Sequence, residues 1–550
     1  MAKMRTEQKS NVKNSVGRLI LFGVLLLLQI IWLMFLFYRL TAYSVWVSLA
    51  ITVFTFIMVL YIFGRHTNAG IKMPWIIVIM AFPMLGVPMY MLMGRHNCTR
   101  KMRKRFEAVD QKLFPLLRKR PENIELLESA NPYAANLARY LQNYANAPLY
   151  HDTEVTFYPD TIEALDAQLR ELRKAKYYIM MEYHAIEDAK AFHQIFEVLK
   201  ERAAAGVEVR LFYDDVGSIG FIDPGFISRM EEVGIKCRVF NPIAPIFNVF
   251  MNNRDHRKIT VIDSKVGFIG GYNLADEYFH ITEPLGFWKD TGIMLRGSAV
   301  DSLTVTFLEM WNAVRGSDID DVNFTQYLSE FMEKIETERI DSKSELLEVL
   351  DDDAIEHWEK VKEASHKKTT AYVQPYADSP LDEERVGENV YLMMLKMAKK
   401  YCYFTTPYLV LTDEMSREMQ LAAKRGVDVR IMTPGIPDKK IIYQMTRSYY
   451  APLCKAGVRI YEYTPGFLHA KMCIVDGEFA TVGTINLDYR SLYLHFENGC
   501  VLYYAKAIRE IYDDFTKIME KSAEVTKEYQ NRSNSLRIKH CLLRILAPLS

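Results

Sequence analysis

The sequence predicts a duplicated α/β protein, two lobes of similar design behind an N-terminal membrane region of two to three hydrophobic segments. Three observations predict it. A short polar motif occurs twice in one register, the same order of helices and strands surrounds each copy, and apolar runs fill most of the first 93 residues. At 550 residues the chain can bury at least two cores.

The first copy of the motif is His256-Arg257-Lys258, then Asp263, then Gly270-Gly271-Tyr272-Asn273. The second is His469-Ala470-Lys471, then Asp476, then Gly483-Thr484-Ile485-Asn486. The pattern His-x-Lys-x4-Asp-x9-Asn therefore recurs without a gap. A single copy is explained by a packed core histidine; two registered copies are not.

Taken in order, residues 1–95 form the membrane region. Residues 19–38 and 45–63 are uncharged apolar runs, each long enough to cross a hydrocarbon layer of roughly 30 Å. A third hydrophobic segment, 73–93, holds Pro74, Pro83, Gly86 and Pro88, which favours a kinked, re-entrant piece over a full span. Basic residues before the first run and again at Arg95–Arg105 ask for an even number of spans. Residues 96–150 read as a basic and then helical connector.

The first lobe is expected at 151–315. Thr161–Lys174 and Phe192–Ala205 are its first helices, and 177–183 and 207–213 its first strands, with Gly206 ending the second helix. An acidic inter-lobe linker follows at 316–368. The second lobe, 369–530, repeats the order with helices at 389–400 and 415–425 and strands at 401–406 and 427–433. The copies differ at one place. Gly234 precedes His256 by 22 residues and Gly457 precedes His469 by only 12, the excess falling on an apolar loop around Pro242–Met251. Such a loop reads either as packed or as a hydrophobic lip beside the site. The tail, 531–550, alternates basic and apolar residues as a membrane-surface helix does.

Formal charge is zero, with 68 basic and 68 acidic residues, which disfavours nucleic acid as a partner. The seven cysteines show no C-x-x-C spacing and read as reduced thiols, neither a disulfide frame nor a zinc site.

Transfer at phosphorus suits the motif. A neutral imidazole attacks a phosphodiester and a second imidazole protonates the leaving alcohol. Lys258 and Lys471 neutralise the non-bridging oxygens, so no metal is required. Asn273 and Asn486 supply neutral donors, while Gly271 and Thr484 let backbone N–H groups approach the phosphate. Each half carries a partial site, so the complete one is expected between the lobes. The residues themselves favour a backbone-bonding role for Asp263 and Asp476. Glu182 is a weaker candidate behind the site, and Arg254 and Arg490 suit either a phosphate or a partner carboxylate.

The paired motifs resemble the two HKD motifs of the phospholipase D superfamily. The stretches from Gly466 to Lys471, from Val482 to Ser491 and from Asn253 to Lys258 are similar to those of bacterial cardiolipin synthases. So is Pro83-x-x-Gly86-x-x-x-Tyr90-x-x-x-Gly94. The resemblance implies mixed sheets flanked by helices and a catalytic set of His256, Lys258, Asp263, His469, Lys471 and Asp476. It further implies supporting carboxylates, Asp290 and Glu497 being the candidates, that orient an imidazole through Nδ1. Which carboxylate serves which histidine is open at this stage.

The activity so implied is a membrane phosphatidyltransferase. It makes cardiolipin and glycerol from two phosphatidylglycerol molecules through a phosphatidyl-histidine, with no cofactor and no metal. Phosphatidylglycerol and membrane lipid are the expected partners, and the expected place is the bacterial cell membrane, multi-pass, with the catalytic lobes cytoplasmic. A hydrolytic phospholipase D, or a transferase using another head-group alcohol, shares every motif residue and is the alternative.

Overall fold

The computed structural model describes residues 45–65, 67–94, 100–242, 253–314, 323–335 and 371–531, with scattered residues between 24 and 39 and residues 543 and 544. Most of the first apolar run, nearly all of the 242–251 loop, most of the acidic linker and most of the basic tail lie outside the described residues.

The first lobe carries β1 (Glu154–Tyr158), β2 (Tyr178–Tyr183), β3 (Glu208–Asp214), β4 (Ile235–Phe240), β5 (Arg254–Asp255), β6 (Lys258–Ile262), β7 (Val266–Gly270) and β8 (Gly292–Arg296). The second carries β9 (Tyr372–Asp378), β10 (Tyr401–Thr405), β11 (Asp428–Pro434), β12 (Arg459–Tyr463), β13 (Met472–Val475), β14 (Phe479–Gly483), β15 (His495–Tyr503) and β16 (Ser522–Glu524). One sheet runs β1-β8-β7-β6-β2-β3-β4. The other runs β16-β12-β11-β10-β13-β14-β15-β5, with β9 also on β15.

The sheets are mixed because their connections differ in kind. Strands β2, β3 and β4 are linked through helices and pair parallel, as do β10, β11 and β12. Strands β6 and β7 meet in a tight hairpin and β8 returns after a longer loop, all pairing antiparallel, matched by β13, β14 and β15. The first crossover helix of each lobe, Lys190–Ala204 and Asp413–Lys424, is followed by Gly206 (φ 87°) and Gly426 (φ 96°). A left-handed residue there turns the chain out of the helix without a Cβ clash.

The motif aspartates sit on the β6–β7 and β13–β14 hairpins, at φ 51° and 53°. Asp263 accepts bonds from the N–H groups of Lys176, Tyr177 and Tyr178 at 2.8–2.9 Å. Asp476 does the same for Lys399, Lys400 and Tyr401 at 2.7–2.8 Å. The sequence separations are 85–87 in one lobe and 75–77 in the other, so the ten extra residues of the first copy leave the clasp unchanged. This corrects the placing of Asp263 and Asp476 in the catalytic set: both carboxylates are spent on holding the start of β2 or β10 to a hairpin. Asp263→Ala leaves three donors unpaired and should lower stability by about 2–4 kcal/mol, read as a fall in the denaturant midpoint. An unchanged midpoint contradicts the assignment.

The 96–150 segment is more than a connector. Phe106, Val109 and Leu113 of the helix Arg100–Leu113 are buried in the core shared by the two lobes, while Leu127, Leu137 and Leu141 of the next two helices are buried in that of the second lobe. Phe106 stacks on Phe496 at 5.3 Å, so this juxtamembrane helix reaches the strand β15.

The third apolar segment is a folded hairpin: helices Ala69–Ala81 and Pro83–Met89, then a wide turn at Tyr90–Gly94. Gly86 is required where the hairpin closes, since a Cβ there would lie 2.7 Å from the Ile79 backbone. Tyr90 packs edge-on against Trp75 at 5.6 Å. A helix of 13 residues is about 20 Å long, short of the roughly 30 Å needed to span. Among the described residues only Val45–Phe63 is long and apolar enough to cross a membrane.

Candidate active site

The two lobes exchange strands of backbone pairing, and this builds the site. Strand β5, just before His256, lies parallel to the start of β15, with Arg254 opposite His495 and Asp255 opposite Phe496. The His256 N–H then donates to the Phe496 carbonyl at 2.9 Å, which sets His256 beside Glu497. The mirror arrangement serves the other histidine. Lys289 bridges to Leu468, and the His469 N–H donates to the Lys289 carbonyl at 2.7 Å, which sets His469 beside Asp290.

Each imidazole is therefore oriented by the opposite lobe. His256 Nδ1 lies 3.0 and 2.9 Å from the two oxygens of Glu497, and His469 Nδ1 lies 2.6 Å from Asp290 Oδ2. A carboxylate only accepts, so Nδ1 donates and Nε2 carries the lone pair; at His469, where Lys471 Nζ also lies 2.8 Å from Nδ1, the lysine then bonds to the backbone carbonyl. Both rings line one cavity of about 630 Å³ between the lobes, together with Asn273, Asn486, Arg254 and Arg490.

The lysines stand behind the rings, 1% exposed, with Lys258 Nζ donating to the His256 carbonyl at 2.7 Å and Lys471 Nζ to that of His469. Burial lowers Lys258 to about 7 and Lys471 to about 8. Burial, reinforced by Lys258 and Lys471, also holds His256 well below the usual imidazole range. His469 falls to about 4 through burial and then Lys471, with Asp290 opposing. For Asp290 itself burial acts upward, yet Lys471 and His469 outweigh it and keep the carboxyl below its ordinary value. Both imidazoles are thus neutral in the free protein at pH 7, and an arriving phosphodiester anion favours a proton on one of them.

Two expected phosphate contacts are placed elsewhere. Gly271 does not line the cavity; a Cβ there would fall 2.1 Å from Asp290 Oδ1, so its bareness makes room for the carboxylate. Thr484 is fully buried and its hydroxyl donates to Glu497 Oε2, holding the carboxylate in place of a phosphate. Asn273 and Asn486 do face the cavity, and Asn486 Oδ1 has no hydrogen-bond partner among the described residues. Arg254 is paired with Asp214 at 3.2 Å. Arg490 makes no ion pair among the described residues and donates from Nε to His495 Nε2 at 3.3 Å. Glu182 lies outside the cavity, 3.9 Å from Arg257, and burial with the neighbouring Asp255 pushes its carboxyl up.

His184 and His495 escaped the sequence reading. Their rings flank His256 at 5.0 and 5.5 Å, and both line the cavity. His495 was within reach of strand alternation, since it lies two residues before Glu497 on β15 and so on the same face. Among the described residues, one group has enough donors close together for a metal: His256, His495 and Glu497, with ligand atoms within 4.8 Å. The Nδ1 bond to Glu497 accounts for most of that closeness.

Comparison with known proteins decides the family. A family model described as cardiolipin synthase, PLD-like domain, matches residues 169–311 and 391–519, one match on each lobe. A second, described as phospholipase D-nuclease N-terminal, matches residues 50–95. The chain is 31% identical to a cardiolipin synthase of Halalkalibacterium halodurans over 506 residues, 92% of this chain and 93% of that one. It is 32% identical to cardiolipin synthase 2 of Bacillus cereus over 502 residues, 90% of each. The chain belongs to the cardiolipin synthase family.

Membership in the cardiolipin synthase family makes it a phosphatidyltransferase of the phospholipase D superfamily. The fold agrees with that of a phosphatidylserine synthase from Haemophilus influenzae Rd KW20, at a TM-score of 0.52 and 16% identity over 75% of this chain and 97% of the other.

Proposed function

We propose that the enzyme makes cardiolipin and glycerol from two phosphatidylglycerol molecules by double displacement. The observation that carries this reading is the crossed pair, two imidazoles with Nδ1 held by the opposite lobe and both facing one cavity. Of the two, His256 is read as the nucleophile. Its Nε2 forms a bond to phosphorus while the bond to the glycerol oxygen breaks, and His469 gives that oxygen its proton. The hydroxyl of a second phosphatidylglycerol then returns a proton to His469 as its oxygen takes phosphorus from His256. Lys258, Lys471, Arg490, Asn273 and Asn486 offset the charge on the phosphate oxygens.

The hairpin at 69–94 supports a membrane region whose third segment dips in without crossing. With the runs at 19–38 and 45–63 as two spans, the juxtamembrane helix at Arg100–Leu113 and both lobes stand on the cytoplasmic side, where the five described cysteines, buried and free of disulfides, stay reduced. The lobes meet inner-leaflet lipid there.

Purified enzyme given phosphatidylglycerol alone should form cardiolipin and free glycerol in near-equal amounts, with little phosphatidic acid, by lipid mass spectrometry. Phosphatidic acid as the main product makes water the acceptor and replaces this reading with the hydrolase.

A pH dependence follows from the lysines. In the free enzyme Lys258 and Lys471 lose their protons near 7 and 8. The loss of positive charge on raising the pH weakens phosphate binding, so kcat/KM should fall as pH rises from 7 to 9. A flat profile over that interval contradicts it.

A further inference from the structure

The cavity lining carries side chains of both charges. Beside His256 stand His184 and His495, with Arg254 and Arg490 next to them. Beside His469 stands Tyr278, its ring centroid 5.4 Å away, and the residue before it is Glu277. Asp438, on the second-lobe loop after β11, lines the same cavity and is near enough to push the Glu277 carboxyl up, after burial and Glu187. The cavity lining therefore holds Arg490, Lys439 and an Arg254 paired with Asp214, against three carboxylates, Glu277 from the first lobe and Asp438 and Asp488 from the second, of which Asp488 accepts the Ser491 N–H.

Carboxylates in a phosphodiester cavity repel its substrate, so their presence needs a ligand that donates. Asp438 is partly occupied: Tyr408 donates to it at 2.5 Å and Lys439 Nζ lies 3.7 Å away. Glu277, half-buried, has no side-chain hydrogen bond or ion pair among the described residues. A phosphate bonded to His256 sits on the side of His495 and Arg490. The alcohol that exchanges protons with His469 lies on the side of Tyr278, and one with several hydroxyls gives Glu277 and Asp438 further donors.

We infer that Glu277 and Asp438 hold the hydroxyl groups of a glycerol head group beside His469, as leaving alcohol and again as acceptor, and so select a polyol over a simple alcohol. The inference rests on the reading of His469 as the group that protonates and deprotonates that alcohol.

The test is acceptor competition with purified full-length enzyme. A phosphatidyl p-nitrophenyl diester serves as donor, with p-nitrophenolate as leaving group. Glycerol, propan-1-ol and ethanolamine compete in one tube at equal concentration, and the three lipid products are weighed by mass spectrometry. Wild type should favour glycerol over propanol by about tenfold or more, the discrimination of a site built to bond a hydroxyl. Glu277→Gln and Asp438→Asn should each cut that ratio several-fold. Because the ratio is internal to the tube, loss of folded enzyme does not imitate the effect. An unchanged ratio in both variants overturns the inference. Preference for ethanolamine, abolished by the same variants, overturns it in favour of a cationic head group. A parallel incubation with phosphatidylglycerol that fails to give cardiolipin counts against the proposed function, and leaves the acceptor ratio readable.

Discussion

His256→Ala and His469→Ala should each lower the steady-state rate by on the order of 10⁴-fold or more while leaving the circular dichroism spectrum and melting behaviour nearly unchanged. Both rings sit at the cavity wall, with their backbone N–H groups bonded across the lobes, and truncation at Cβ disturbs neither strand. The two losses differ in kind. An activated p-nitrophenyl diester needs no proton on its leaving group, so His469→Ala should still release one equivalent of nitrophenolate in a burst and then stall. His256→Ala should give no burst. A burst from His256→Ala with none from His469→Ala reverses the roles, and either variant keeping more than about a tenth of the wild-type rate defeats the paired scheme.

Glu497→Gln and Asp290→Asn should reduce kcat by roughly 10³–10⁴-fold with KM little altered, a size set by the amide replacement of the orienting aspartate in serine-protease triads. The physical reason is the tautomer. A carboxylate accepts from Nδ1–H and keeps the lone pair on Nε2, whereas an amide can donate to Nδ1 and place the proton on Nε2, where the lone pair is needed. Glu497 also takes the Thr484 hydroxyl on Oε2, while His256 Nδ1 lies between its two oxygens, so the carboxylate is held by two partners. A role limited to packing would lower the melting temperature and spare kcat. A fall of less than tenfold, with reduced stability, rejects the orienting role.

These carboxylates mark the limit of sequence reading. Asp290 and Glu497 were visible as acids downstream of each histidine, but the nearer acid in sequence is the wrong partner for each. Asp290 follows His256 by 34 residues and Glu497 follows His469 by 28, yet the bonds run from His256 to Glu497 and from His469 to Asp290 across 241 and 179 residues. Gly271 and Thr484 were misread for a related reason. Small residues beside an asparagine suggest an approach to phosphate, and only packing reveals that the group approaching is a carboxylate of the same lobe.

What the sequence by itself determined is what repeats locally. The duplicated register, the helix and strand order, the glycines at helix ends and the apolar length of 45–63 all follow from periodicity, backbone freedom and hydrophobic run length, which act over one or two turns of chain. The backbone role of Asp263 and Asp476 was legible too, because a carboxylate on a hairpin beside strand ends has N–H groups to bond. The tertiary structure alone decided which lobe orients which imidazole, that the 96–150 helices fill the inter-lobe core and that of the second lobe, and that carboxylates from both lobes line the cavity. Each of those depends on hydrogen bonds or charges brought together from distant parts of the chain. Side-chain period fixes which face a residue shows, but not what the fold sets opposite it.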